Sequence, residues 1–225
     1  MKYLFLAIVC ISITACKSQK LLNMELKKEL DQILFDDQIY REFSDNETSE
    51  KRKDEIAQSL HLSRDSLQRN IWTFINKTDT ENLKKVESII AKYGYPGKSL
   101  VGEPTNTAVF YAIQHSNKIE QYYSLIEKAG KTGELPFKYT AMQLDRKLTN
   151  EGKPQIYGTQ VGFRMIRNPK TGIQENFIYV LPIEDAKNVN RRRKKAGFDT
   201  TVEENTKRFG IEYKAYTYEE LSQIK

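Results

Sequence analysis

The chain has 225 residues, 36 lysines and arginines against 30 acidic residues, and a formal net charge of +6. This length suits one domain with a short N-terminal arm, and a basic balance is compatible with nucleic acid or with an anionic membrane surface. Both cysteines lie at or before Cys16, which leaves the rest of the chain without a disulfide, a redox motif or a cysteine nucleophile. HExxH, CxxC, GxGxxG and P-loop patterns are absent, so we expect neither a protein-ligated metal nor a cofactor.

The N-terminal segment is typical of a secretory signal peptide. Lys2 precedes an apolar run from Tyr3 to Ile13, and small residues then lead to a cut site before Cys16. The run is shorter than the ~20 apolar residues that a membrane-spanning helix needs. The residues Ile13-Thr14-Ala15-Cys16 also resemble the bacterial lipobox, whose cysteine is acylated, with chains such as palmitate, and becomes the first residue of the mature protein.

The lipobox resemblance implies both the boundaries of the mature protein and its location at a membrane. Residues 1–15 would be the signal peptide, residues 16–21 a tether, and residues 22–225 a single domain. We expect the partner of Cys16 to be a lipid bilayer and expect no nucleic acid, because an extracytoplasmic lipoprotein does not normally meet any. Lys17 directly after the cysteine favours the outer membrane by resemblance to enteric sorting, but both cell membrane and outer membrane stay open, as does the oligomeric state.

Apolar periodicity predicts helices in the first half of the chain. Leu26, Leu30, Ile33 and Leu34 recur at three- and four-residue spacing and form one stripe. Further helical patterns follow over about 50–60, about 64–76, and from Leu83 to Tyr93, where Gly94 ends the last of them; a turn is predicted at 95–98. The segment from about 105 to 116 is apolar nearly all round, which predicts a central buried helix.

The pattern changes from helices to strands in the last third. Helical spacing continues over about 119–126 and 139–148, and then two runs rich in Tyr, Val, Phe and Ile follow at 155–166 and 173–181. The turn cluster at 167–172 between them predicts a β-hairpin. Helical patterns return at about 186–195 and 218–224, and the charge run at 191–195 is interpreted as a solvated face, with anionic headgroups as the alternative. The predicted fold is mainly α, a single compact helical domain with one C-terminal β-hairpin.

Ionisable residues interrupt three of the predicted apolar stripes. Helical steps place Asp37 and Arg41, His115, and Asp145 with its neighbour Arg146 on faces that lead to the core. Because burying a charge is costly unless it is paired, these residues are candidates for one cleft. There His115 would be a general acid or base oriented by Asp145 or Asp37, and Arg41 or Arg146 would hold an anionic group. The alternative is a structural ion-pair network at the edge of the core.

The segment from 150 to 160 is dense in hydrogen-bonding groups. Gln155, Tyr157, Thr159 and Gln160 could bind a polar ligand such as a sugar or a peptide, and glycines at 152 and 158 allow unusual backbone angles. The alternative is a loop that enters a strand and caps neighbouring helices.

Several pieces of the chain together resemble an uncharacterised bacterial family, domain-of-unknown-function family 6624. The pieces are Asp37-Gln38 with Arg41, the stretch 93–102, Gln114-His115, Asp145-Arg146, the stretch 151–160 with its Tyr-Gly-Thr-Gln motif, and 182–193. The resemblance covers about residues 24–205 and implies a domain without an established activity.

Two functions remain open on the sequence. The first is an envelope lipoprotein whose domain binds a polar or anionic ligand or acts as a scaffold. The second is a hydrolase-like enzyme that uses His115 with Asp145 or Asp37. The two differ in what surrounds His115: an enzyme needs the imidazole on an open cleft and within hydrogen-bond reach of a carboxylate.

Overall fold

The computed structural model describes residues 21–168 and 171–224. The predicted signal peptide, Cys16 and most of the tether lie outside the described residues, as do two residues of the predicted hairpin turn. Helices and strands follow one another as α1 (Met24–Ser44), α2 (Glu50–Ser59), α3 (Arg64–Tyr93), α4 (Lys98–Val101), α5 (Ala108–Gln114), α6 (Ile119–Lys131), α7 (Phe137–Asn150), β1 (Val161–Arg167), β2 (Gln174–Val180), α8 (Val189–Ala196), α9 (Val202–Lys207) and α10 (Tyr218–Gln223). The predicted fold, mainly helical with a C-terminal hairpin, is confirmed. In the described part of the chain, no helix combines the length and apolar character needed to cross a membrane.

Helix α3 is one continuous helix where the sequence predicted two. Ser63 caps its first turn by accepting a hydrogen bond from the Ser66 amide, and Gly94 ends it with φ +69°. Asp79 and Thr80, which lie between the two predicted patterns, do not interrupt the helix, because each side chain has a partner that suits a helix interior. The Thr80 hydroxyl donates to the Asn76 carbonyl at 2.8 Å, and Asp79 forms an ion pair with Arg41 of α1. The helix therefore runs past the whole length of α1.

The main core forms around α5, as its apolar composition predicted. Ala108, Val109, Phe110, Ala112 and Ile113 are all at most 1 % exposed. Apolar residues of α1, α3, α6 and α7 surround them in one cluster. A helix that is apolar on every side is stable only when neighbours cover it on every side. The core consequently fixes the position of the residue that follows α5, His115.

The hairpin and the last helices form a smaller unit on the C-terminal side. Strands β1 and β2 pair antiparallel, with Val161 opposite Val180. Val180 packs with Val189 of α8 and Val202 of α9 in a separate apolar cluster. Helix α9 was not predicted, although its capping box, Thr201 with Glu204, is a sequence signal for a helix start.

The charge run at 191–195 is only partly the solvated face that the sequence predicted. Arg193 is 2 % exposed, and its guanidinium donates to the carbonyls of Thr200 and Tyr157 at 2.8 and 2.9 Å. Burial lowers its pKa, and the backbone carbonyls that it reaches compensate part of the lost hydration. The run therefore also attaches α8 to the 150–160 segment.

Candidate functional site

The contact between Asp37 and His115 is the centre of the site. Asp37 lies on the buried face of α1 with its side chain fully buried, and His115 follows the last turn of α5 with 21 % of its side chain exposed. The imidazole Nδ1 lies 3.0 Å from Asp37 Oδ1, across 78 residues of sequence. Because a carboxylate only accepts, this contact assigns the proton to Nδ1 and leaves Nε2 unprotonated in the neutral ring.

Two further side chains fix the Asp37 carboxylate. Gln38 Nε2 donates to Oδ2 at 2.6 Å, and Arg41 Nη1 lies 3.6 Å from Oδ1 while donating to the Asp37 carbonyl at 2.8 Å. Arg41 Nη2 donates to both carboxylate oxygens of Asp79 on α3, at 2.9 and 2.8 Å. The positive charge shared between two carboxylates offsets part of the cost of burying Asp37. The arrangement holds α1 against α3 beside His115.

A cleft of about 460 Å³ opens beside His115. Asp79, Asn76 and Asn117 line it together with the imidazole. Ser116 also lines it, but its hydroxyl donates to the Ile113 carbonyl at 2.9 Å and accepts from the Lys118 amide at 3.0 Å. The Ser116 hydroxyl is therefore not free to act as a nucleophile activated by His115. The other polar side chains that line the cleft beside the imidazole are those of Asn76, Asp79, Thr80 and Asn117.

Asp37, Asp79 and His115 also have the composition of a cation site. Each offers a ligand atom, and these atoms lie within 4.8 Å of one another. The Arg41 guanidinium, however, already donates to Asp79 and lies 3.6 Å from Asp37, so both carboxylates already face a positive charge. The donor set therefore fits an ion-pair network better than a metal centre. The expectation that the protein ligates no metal stays a prediction.

Tyrosines form the inner wall behind His115. The Tyr111 ring stacks on the imidazole with centroids 6.2 Å apart and meets Tyr139 edge-on at 5.8 Å. Burial raises the pKa of Tyr111 strongly, and the neighbouring Tyr139 raises it further. The phenol of Tyr111 thus stays protonated beside the imidazole.

Asp145 lies elsewhere and holds the 150–160 segment in place. It is fully buried on α7, and its carboxylate accepts from the amides of Ile156 at 2.8 Å, Tyr157 at 3.0 Å and Thr159 at 3.0 Å. The Thr159 hydroxyl donates as well, at 2.9 Å. Burial raises the pKa of Asp145, and the hydrogen bonds from Tyr157, Ile156 and Thr159 oppose that rise. The structure thus brings Asp37, not Asp145, to His115.

Most of the side chains predicted to bind a polar ligand form hydrogen bonds within the protein instead. Gln155 is fully buried and donates to the carbonyls of Gln160 and Leu181 at 2.9 and 2.8 Å, while its Oε1 accepts from the Gln160 amide at 2.8 Å. Gln160 Nε2 donates to the Thr159 hydroxyl oxygen at 2.9 Å. Tyr157 is partly exposed, and its ring lies 6.1 Å from that of Phe198. These contacts correspond to the structural alternative, a loop that enters a strand.

Arg146 differs from the other predicted ligand-binding residues. Its Nε is buried and has no hydrogen-bond partner among residues 21–168 and 171–224, and no carboxylate of that part contributes to the shift of its pKa. Burial lowers the pKa of its guanidinium. Arg41, the other residue expected to hold an anion, is instead engaged by Asp79.

Comparison with known proteins identifies the domain. Residues 47–216 match a family of unknown function, DUF6624. The chain belongs to this family. The matched segment contains Asp79, His115 and Asp145, whereas Asp37 and Arg41 precede it on α1. No curated protein and no solved structure matches the chain.

Sequence reasoning missed two members of the site in this DUF6624 chain. Asp79 lies between the two helical patterns predicted at about 64–76 and from Leu83 to Tyr93 and was not predicted as a site residue, although it follows buried Ile75 by four residues and so continues the same helical face. A charged residue at an apolar position of the helical repeat is the sequence signal from which Asp79 could have been predicted. Gln38 lies at the polar end of the same stripe as Asp37 and Arg41 and in the family motif, but it was not predicted as a site residue. Its contact with Asp37 joins adjacent residues, which spacing does not reveal.

Proposed function

We propose that this domain is a hydrolase-like enzyme in which His115 acts as general base and general acid and Asp37 orients it. The single observation that supports the proposal is the Asp37–His115 contact of 3.0 Å at the edge of an open cleft. A base held by a carboxylate on one nitrogen and free on the other is the arrangement that proton transfer to a bound substrate requires. An imidazole bonded only to backbone inside a closed core would have argued against it.

Water is the nucleophile that the surroundings of His115 favour. The Ser116 hydroxyl is engaged by backbone groups, so the serine next to His115 is not available as an activated nucleophile. His115 Nε2 would take a proton from a water molecule as the water oxygen attacks the electrophilic centre of the substrate. The same nitrogen would then return the proton to the leaving group as its bond breaks. The Asn76 and Asn117 amides would bind polar groups of the substrate in the cleft.

The binding or scaffold role remains the second possibility, and it stays a prediction. It was motivated by the amide-rich segment at 151–160, whose Gln155, Thr159 and Gln160 are engaged in hydrogen bonds within the fold. Groups already satisfied by the protein gain little from a ligand. The enzyme is therefore the function that the geometry favours.

The test compares two histidine variants in the full chain. We expect turnover of at least one class in a panel of chromogenic esters, phosphoesters and amides. His115→Gln should reduce that turnover by roughly 10²–10⁴-fold, the usual contribution of a general acid–base group. His61→Gln is the matched control, because His61 is exposed in the turn between α2 and α3 and the chain has only these two histidines. Hydrolysis that survives in His115→Gln, or no hydrolysis of any class by the wild type, contradicts the proposal.

We also propose that the enzyme is anchored to a membrane from outside the cytoplasm through lipidated Cys16. The support is the sequence of the first 16 residues, with its charged start, short apolar run and lipobox-like end. Attachment is stable when more than one acyl chain inserts, since each buried CH₂ contributes about 0.8 kcal/mol. Cys16→Ser should release the protein from the membrane fraction or leave its precursor uncut. Processed, membrane-bound protein in this variant would refute the anchor.

A further inference from the structure

A second cleft, separate from that of His115, lies where α1, α2 and α3 meet. Its volume is about 610 Å³, and none of its lining residues borders the His115 cleft. Phe43, which is 5 % exposed, and the partly exposed Ile71 form an apolar floor. Trp72 stands at its side with 70 % of its surface exposed. A large indole left in water beside a concave surface is unusual, because burying such a ring is strongly favourable.

Two amide side chains, those of Gln68 and Asn46, line the same cleft as Trp72. Gln68 precedes Trp72 by one helical turn on α3, so both side chains project from the same face. Asn46, in the link after α1, lines the same cleft. Within residues 21–168 and 171–224, neither amide side chain has a hydrogen-bond partner. Each amide offers both donors and an acceptor.

Each charged residue that lines this cleft takes part in an ion pair. Arg64 forms ion pairs with Glu50 and, at 3.1 Å, with Asp54, and Lys53 Nζ lies 3.8 Å from Glu50. The lining holds two cations and one carboxylate, and Asp54 outside the lining supplies the second carboxylate, so neither cation is left unpaired to select an anionic ligand. An apolar ring face together with free amides instead suits a neutral molecule that has an apolar face and a border of hydroxyl groups.

We propose that this cleft binds a neutral carbohydrate. The C–H face of a sugar ring would stack on the Trp72 indole, and its hydroxyls would exchange hydrogen bonds with the amides of Gln68 and Asn46. The inference does not depend on the proposed hydrolase, since the two clefts share no lining residue. It gives the domain a second binding surface, where the end of α1 and helix α2 meet the first half of α3.

The chain contains a single tryptophan, so its fluorescence reports on this cleft alone. The full chain, kept in a detergent without a sugar headgroup, is titrated with chitotriose, cellotriose and maltotriose. We expect a saturable change in tryptophan emission with at least one of them. Gln68→Ala should weaken the binding by about fivefold, the equivalent of one net hydrogen bond. His115→Gln should leave the titration unchanged, which separates this site from the proposed hydrolase.

Calorimetry with the same sugars extends the test to Trp72→Ala, which has no emission to follow. We expect affinity to fall by at least about tenfold in this variant, because the stacking surface is removed. Trp72 is exposed and packs little, so the variant should keep the wild-type melting temperature. Absence of a saturable response to all three sugars overturns the proposal. Unchanged affinity in Trp72→Ala, or a response confined to a neutral hexapeptide tested in parallel, overturns it as well.

Discussion

Replacement of Asp145 by asparagine tests whether this buried carboxylate is structural. Asp145 Oδ1 accepts from the amides of Ile156 and Tyr157, and Oδ2 accepts from the amide and the hydroxyl of Thr159. Asparagine keeps one oxygen, which can still serve Ile156 and Tyr157. Its NH₂ group, however, would face the Thr159 amide, donor against donor. The variant therefore loses up to two hydrogen bonds to a charged acceptor while changing almost no volume.

The expected loss of unfolding free energy follows from these contacts. Each hydrogen bond to a charged group contributes about 1.5–3 kcal/mol, and the Thr159 hydroxyl can rotate to accept from the new NH₂ group. Burial raises the pKa of Asp145, which means that the ionised form bears a desolvation cost that asparagine avoids. The two terms have opposite signs, and we expect a net loss of about 1–3 kcal/mol.

Urea denaturation of wild type and variant measures this loss, with Asp199→Asn as the matched control. The Asp199 side chain is 86 % exposed and forms one surface ion pair with Lys138, so its replacement should change stability by less than about 1 kcal/mol. Hydrogen exchange provides a local readout, since the Thr159 amide should lose protection in Asp145→Asn. A variant as stable as the wild type, or more stable, would refute the structural role and return Asp145 to the candidates for function.

Two other predictions concern the same region. Gly158→Ala should lower stability by about 2 kcal/mol more than Gly172→Ala. Both glycines have φ +69°, but a Cβ at 158 would lie 2.8 Å from Ile183 Cδ1, whereas no atom of the described residues would lie within 4 Å of a Cβ at 172. Equal losses in thermal melts would contradict this. Lys147 and Lys153 lower the pKa of Glu151 to about 2. The ionised Glu151 should therefore stabilise the fold above the unfolded pKa near 4.5, and this contribution should vanish as pH falls through about 2. A carboxyl NMR titration of Glu151 that stays unchanged in Lys147→Met would show that Lys147 does not lower this pKa.

The sequence alone determined the local structure of most of the chain. Helical spacing predicted α1, α2, α5, α6 and α7, and the turn cluster between two β-rich runs predicted the hairpin. It also predicted that Asp37 and Asp145 face inward, and both are fully buried. These features could be predicted because a helix repeats every 3.6 residues. A charged residue within an apolar stripe can therefore be recognised from the sequence without knowledge of the elements that pack on it.

Tertiary structure alone decided which polar residues meet. The sequence left Asp37 and Asp145 as equal partners for His115, and packing of α1 against α5 brings Asp37 within 3.0 Å while α7 directs Asp145 to the 156–159 backbone. Helix α3 continues through Asp79 because Arg41, 38 residues earlier, supplies the opposite charge. The physical reason is the same in each case. Spacing along the chain fixes the side of a helix on which a residue lies. The partner that offsets the cost of burying its charge comes from another part of the chain, and only the packed core determines which residues meet.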